Sequence, residues 1–378
     1  MHGNSALHLA VMLGRRECVE LLLAHGAPVK LKNTDGWSPL AEAISYGDRQ
    51  TIASLLRSQK QQAKTEMENR RPEMIKGLKN LGDFNLELKW DFACSVPLVS
   101  RFLPSDICKI SKRGASVRLD MTLVGFTGMR WERGDITFLF RGEEAGDKSW
   151  CVLNNKAKVY IEESELEIED EVDRLMSSGI DATPKISIST KPIGFTREKA
   201  GLIWKEDRSE QLGKFKADIY TVNGMVLESR KRRDHLSDED LENPVITWQE
   251  YSSCPPGDPP LLARKIVSKT NRYEIKATIA MSKEFPMKVE MLLAVLEVIP
   301  QFEHFNKLRD LVEMKLPPGF PIQVNIPVVP TVSAKVTFTD FTWLEDGSGE
   351  ENKFKIPEEY THDPDRFVFK MIYFLNSG

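Results

Sequence analysis

Few residues in this 378-residue chain have the types and spacing that bond-making chemistry needs. Histidines stand at positions 2, 8, 25, 235, 304 and 362, with no pair and no nearby cysteine at metal-ligand spacing. The cysteines, Cys18, Cys94, Cys108, Cys151 and Cys254, are scattered, odd in number and never Cys-x-x-Cys. That usage suits a reducing compartment and argues against a disulfide scaffold or a zinc ribbon. The chain has no Gly-x-Ser-x-Gly elbow, no Gly-x-x-x-x-Gly-Lys phosphate loop and no Gly-x-Gly-x-x-Gly turn. Carboxylates are plentiful, but pairing in space is invisible at this level. The expectation is a protein that is not an enzyme and uses no cofactor or metal.

Binding is what remains, and composition narrows the partner. Fifty-two basic residues against fifty-six acidic ones leave a formal charge of −4, which disfavours a nucleic-acid partner. Apolar residues at 41% and charged residues at 29% are ordinary for a folded domain. No stretch approaches the ~18–20 apolar residues needed to cross a bilayer. Met1-His2-Gly3-Asn4 carries neither a basic nor an apolar signal region. The expectation is a cytoplasmic protein that meets membranes only peripherally, through partners.

The strongest internal signal is a repeat. Gly3-Asn4-Ser5-Ala6-Leu7-His8-Leu9-Ala10 aligns with Gly36-Trp37-Ser38-Pro39-Leu40-Ala41-Glu42-Ala43, Gly14 with Gly47, and Leu22-Leu23 with Leu55-Leu56. Every offset is 33, the ankyrin period. Ser5 and Ser38 stand as helix N-caps, and Pro39 at the first helical position, where its missing N–H is harmless. Gly14 and Gly47 end the first helix of each pair. Val19, Leu22 and Leu23, like Ile52, Leu55 and Leu56, make the buried stripe of the second. Asn33-Thr34-Asp35-Gly36 is the turn between repeats. His8 reads as a structural histidine tying neighbouring turns together.

Such stacks bind partners with turn tips and first helices, which marks Lys32, Asn33, Asp35, Trp37, Glu42, Ser45 and Tyr46 as the candidate contact surface. Trp37 reads equally as packing. Fewer than two full repeats are present, whereas stacks usually need three or more. Either upstream repeats are missing, the favoured reading, or the pair packs on a more C-terminal part of the chain.

Three units are expected: ankyrin repeats over 1–60, a polar helical linker over 61–82 and a large domain over 83–378. From Asp83 the period changes to two, with Phe84, Leu86 and Leu88 alternating with polar residues. Strands are predicted over Val117–Val124, Asp135–Phe140, Trp150–Leu153, Lys158–Ile161 and Lys185–Ser189. A hairpin is predicted over Lys216–Thr221 and Met225–Ser229, with Val222-Asn223-Gly224 as a type I′ turn. A strand pair is expected over Ala263–Ser268 and Tyr273–Ala280. Helices are expected over Met287–Ile299 and Phe302–Met314, then an irregular or edge strand through Pro327 and a bulge between Phe338 and Phe341. The fold class is α+β: short ankyrin helical repeats, then a large, mostly antiparallel β-rich domain.

Two charged segments stand out. Glu162–Asp173 has eight acidic residues in twelve and reads as an exposed linker or helix. Arg230-Lys231-Arg232-Arg233 is a basic cluster. It reads as a solvated strand end answered by Asp234, Asp238, Glu239 and Asp240, or as a contact for acidic lipid, an acidic partner or an import receptor.

Taken together these runs resemble the ankyrin repeat domain 13 family, in its C-type branch, a GPCR-chaperone domain family. The residues carrying the resemblance include Gly36-Trp37-Ser38-Pro39-Leu40-Ala41-Glu42-Ala43-Ile44-Ser45-Tyr46-Gly47, Leu81-Gly82-Asp83-Phe84, Leu103-Pro104-Ser105-Asp106, Leu227-Glu228-Ser229-Arg230-Lys231-Arg232-Arg233 and Met314-Lys315-Leu316-Pro317-Pro318-Gly319. The resemblance implies a non-enzymatic chaperone or retention factor at the cytosolic face of the endoplasmic reticulum. Its clients would be newly made G-protein-coupled receptors. Other members are ubiquitin-dependent endocytic adaptors acting through C-terminal motifs that this chain lacks.

Overall fold

The computed structural model describes residues 3–94, 103–127, 130–144, 146–162, 168–179, 185–189, 193–201, 206–232, 268–298, 316–329, 331–345, 350–364 and 366. The fold is α+β, helices first and then a large, mostly antiparallel sheet.

Each repeat starts as its residue types require. Ser5 caps α1 (Ala6–Met12), its hydroxyl accepting from the His8 amide, and Ser38 caps α3 (Pro39–Tyr46) through the Ala41 amide. Gly47 ends α3 at φ +72°, a left-handed position that costs glycine little. Between them lies α2 (Arg16–Ala24), and α4 (Arg49–Lys79) comes next. Asp48 caps α4 by accepting from Thr51 and is also held by Arg16. Burial pushes the Asp48 carboxyl up, but hydrogen bonds from Arg16 and Thr51 outweigh it and keep the acid below its ordinary range.

The second helix of the second repeat and the expected linker are one helix. With 31 residues, α4 is about 46 Å long. At its start Ile52, Leu55 and Leu56 lie in the ankyrin core; near its end Met74 and Leu78 lie in the core of the sheet domain. One rod therefore joins two cores.

The acidic segment is also not the solvated element expected. Its described part includes α5 (Ile168–Gly179), which packs against α3 and α4. Val172 is completely buried in the ankyrin core, with Ile168, Leu175 and Met176 packed around it. The acids crowd the sequence, yet the apolar positions recur at helical spacing and define a buried stripe. The short ankyrin pair packs on a helix from further along the chain.

The sheet domain contains β1 (Phe84–Cys94), β2 (Ser105–Arg113), β3 (Ser116–Thr127), β4 (Arg130–Arg141), β5 (Trp150–Asn154) and β6 (Val159–Glu162). After α5 come β7 (Lys185–Ser189), β8 (Gly194–Arg197), β9 (Lys199–Ala200), β10 (Glu206–Asp207), β11 (Ser209–Leu212), β12 (Phe215–Arg232) and β13 (Ser268–Ser282). Helix α6 (Val289–Leu296), β14 (Phe320–Val329), β15 (Val332–Trp343) and β16 (Thr361–His362) complete the described α-helices and strands. The main sheet runs β11-β12-β13-β14-β15-β1-β2-β3-β4-β5-β6-β16, with β7 and β8 also on β12; β9 and β10 pair separately. Neighbours are antiparallel except β16 on β6.

The predicted hairpin is instead a single strand. Both halves of β12 pair with β13, Val222 opposite Ala277 and Met225 opposite Ile275, so Asn223 and Gly224 together face Lys276. Asn-Gly here makes a bulge, with Gly224 at φ +82°, and not a turn. The strand expected at Tyr273–Ala280 is the middle of β13; Ala263–Val267 and Phe302–Met314 lie outside the described residues. The bulge expected in β15 is present: Asp340 faces Glu87 and Phe338 faces Leu88, leaving Thr339 extra.

One face of the sheet wraps the end of α4 and α6. Phe84, Leu86, Ile110, Leu119, Ile136, Phe138, Ile219 and Ile322 are buried there with Met74, Leu78, Leu292 and Val295. Gly319 stands at φ +117°, and a Cβ on it would lie 2.6 Å from the Ser282 carbonyl oxygen. That close approach explains the glycine in the Pro317-Pro318-Gly319 run. On the opposite face Phe354 is buried with Leu139, Cys151 and Leu153, supported by Ile356 and Tyr360.

Candidate functional site

The turn between the repeats is built by Asn33. Its Oδ1 accepts from the amides of Asp35 (3.1 Å) and Trp37 (2.8 Å), and its Nδ2 donates to Asn4 (2.9 Å). The Asn33 amide donates to the Trp37 carbonyl, closing the turn. His8, fully buried, places Nε2 2.9 Å from that same carbonyl and Nδ1 near the Ser5 amide and hydroxyl. This geometry fits neutral imidazole with the proton on Nε2 and Nδ1 accepting. The histidine is a tie between α1 and the turn.

Burial lowers the His8 pKa, and the bond to Trp37 opposes this only in part. In the unfolded chain the ring takes a proton near pH 6.5, while the folded site resists it. The stabilisation is therefore complete above about pH 6.5 and is lost progressively as pH falls toward the lower folded value. Thermal melts of the ankyrin unit should show less stability at pH 5 than at pH 7.5, and His8→Gln should flatten that difference.

The predicted contact residues divide under this geometry. Lys32 and Asp35 are exposed, Trp37 is half-buried, and Ser45 is half-buried with its hydroxyl on the Glu42 carbonyl. Asn33 and Glu42, at 8% and 1% exposure, do not face outward. Asn33 spends its side chain on the turn, and Glu42 lies beneath the helix surface. Tyr46 is the last residue of α3, and its side chain is outside the described ones. Leu31, not singled out from the sequence, is 49% exposed beside Lys32. A lone leucine between two lysines, Lys30 and Lys32, was the available signal. The surface patch on the turn is therefore Leu31, Lys32 and Asp35, backed by Trp37.

The basic cluster lies at the end of β12, where Arg230 pairs with Thr270 and Lys185, Lys231 with Lys269 and Arg232 with Ser268. Arg233 lies outside the described residues.

Groups that invite a catalytic reading are occupied structurally. Asp106, buried, accepts from the amides of Ile107, Thr122 and Leu123 and from the Thr122 hydroxyl, with Arg133 3.4 Å away. It fixes the irregular stretch of β3 between Met121 and Leu123. Burial pushes the Cys108 thiol up to about 12 and the Cys151 thiol up to about 11. Both stay protonated at neutral pH and are poor nucleophiles. An open cleft of about 560 Å³ is lined by Glu132, Arg133, Gly134, Asn154, Lys156 and Ala157. Among the described residues no group of three or more histidine, cysteine or acidic side chains could hold a metal ion. Nor is any described helix long and apolar enough to cross a membrane.

The chain matches two family models. Residues 118–254 and 242–371 match the ANKRD13 C-terminal family, and residues 2–67 match ankyrin repeats. It is 53% identical to ankyrin repeat domain-containing protein 13C-B of Xenopus laevis, over 97% of this chain and 77% of that one. It is 52% identical to human ankyrin repeat domain-containing protein 13C, over 97% and 73%. The mouse 13B protein is 29% identical, over 89% and 62%.

Proposed function

Since this chain belongs to the ankyrin repeat domain-containing protein 13 family, we propose that it is a protein-binding chaperone or retention factor for newly made G-protein-coupled receptors. It acts at the cytosolic face of the endoplasmic reticulum and is held there by its clients. The observation that carries this reading is the likeness to 13C proteins, 52–53% over 97% of the chain, against 29% over 89% for a 13B protein. The ubiquitin-dependent adaptor reading belongs to the other branches of the family and is the alternative.

In this reading the ankyrin turn supplies specific contacts through Leu31, Lys32, Asp35 and Trp37, with Ser45 and Tyr46 of the adjacent helix flanking them. Asn33 and Glu42 hold that surface in shape. The basic run Arg230–Arg233 meets acidic receptor tails or acidic headgroups. An exposed leucine between lysines, with Asp35 on the same turn, suits an amphipathic cytosolic segment.

The test is recovery of newly synthesised receptors from microsomes. Wild-type chain should co-isolate with them, and Leu31→Asp combined with Lys32→Glu should reduce recovery at least about tenfold, the loss of one binding hot spot. Thermal stability should be unchanged, because both side chains are exposed. Equal recovery by the double variant would remove the turn from the binding surface; no recovery across several receptors would remove the function.

A further inference from the structure

Helix α5 comes about a hundred residues after the second repeat yet fills a position on its last helices. Its apolar stripe, Ile168, Val172, Leu175 and Met176, joins the core that contains Ala43, Ile52 and Leu56. Charges frame the stripe. Arg49 binds Glu169 at 3.0 Å and also Asp173, Arg57 binds Glu169 at 3.0 Å, and Lys60 binds Glu171 at 3.2 Å. The receiving face is therefore an apolar groove edged by three cations, and its occupant is an acidic amphipathic helix.

The attachment is modest. Among the described side chains of α5 only Val172 is fully buried, and most of the ion-pairing side chains are substantially exposed. Exposed pairs are weakened by salt and hold little. Twelve residues are too few to keep a helix without a surface to lie on. What favours α5 over a competitor is its covalent attachment, which raises its effective concentration.

We propose that the α3–α4 face is a docking groove for an acidic amphipathic helix of a partner polypeptide, and that α5 is its internal occupant, displaced when the partner binds. The partner helix would carry apolar residues at i, i+4, i+7 and i+8 with carboxylates beside them, in the manner of helix-in-groove recognition. The inference rests on the ankyrin groove alone and does not depend on the receptor reading.

The probe is a fluorescent peptide of residues 165–180, titrated into the full chain and followed by anisotropy. Val172→Asp should undock the internal helix, so that variant should bind the peptide at least about tenfold more tightly than wild type. Adding Arg49→Glu to Val172→Asp, or raising salt to 1 M, should weaken binding severalfold. Hydrogen exchange of α1–α4 reports whether the repeats remain folded. If Val172→Asp unfolds them, Glu169→Lys with Asp173→Lys, which leaves Val172 in place, takes its role with the same expectation. A folded variant that binds no better than wild type overturns the proposal. So does binding unaffected by Arg49→Glu, or a chain whose undocked α5 seats on a second copy and yields a dimer.

Discussion

Phe285→Ala should produce the larger of two expected losses of stability, about 3–5 kcal/mol, as for other buried aromatic truncations. Phe285 lies between β13 and α6 and is 6% exposed. Its ring stacks on Phe320 at 4.2 Å and contacts Phe215 at 4.9 Å, Phe341 at 5.5 Å and Phe338 at 6.2 Å. It is thus the hub where β12, β14 and β15 meet. These neighbours are held by their own strands and cannot collapse into the void, so the cavity term adds to the lost burial. For a domain of this size the unfolding midpoint should fall by roughly 10 °C. Phe285→Leu, which keeps most of the volume, should cost far less, about 1–1.5 kcal/mol. Calorimetry of both variants checks the claim; equal small shifts would mean the ring is not the hub.

Lys112→Met should cost nearly as much, for a different reason. The Lys112 side chain is fully buried, and its Nζ donates to the Leu81 carbonyl at 2.5 Å and to Asp83 Oδ1 at 2.9 Å. The same Asp83 oxygen accepts from the Gly114 amide. The ammonium therefore pins the chain leaving α4 to the β2–β3 turn at the start of the sheet. Removing it strands a carboxylate and a carbonyl that were arranged around a positive charge, a loss of about 3 kcal/mol. Asp83 keeps 27% side-chain exposure, so water recovers part of the loss. Adding Asp83→Asn to Lys112→Met should restore some stability, because the amide oxygen still serves Gly114 without leaving a charge. By contrast Lys214→Ala, which removes the exposed pair with Asp340, should change stability by less than about 1 kcal/mol.

Which features the residues announce depends on the range of the forces involved. The repeats are legible because capping, left-handed glycine and a helical apolar stripe are local, and they recur at one spacing. The alternation at Phe84, Leu86 and Leu88 and the phase change at Thr339 are local too. Asn223-Gly224 misleads because a tight turn and a bulge ask for the same residues. Only a distant strand, β13, decides between them by pairing with both flanks. The acidic run hides α5 for a related reason: its charges dominate the composition while four apolar residues dictate its placement. Asn33 and Glu42 look like surface groups from their polarity alone. Their burial is set by how the first repeat stacks on the second, as the bond from Asn33 to Asn4 shows. The surface leucine, Leu31, is legible only as an oddity between lysines until the turn is folded around it.

The central claim is that this chain works by holding another protein on preformed surfaces. Titrating purified chain against peptides of receptor cytosolic segments and, in parallel, against ubiquitin chains tests it most directly. Saturable binding to receptor segments, weakened by Leu31→Asp with Lys32→Glu and absent for ubiquitin, is the predicted result. Saturable binding to neither receptor segments nor ubiquitin would contradict it.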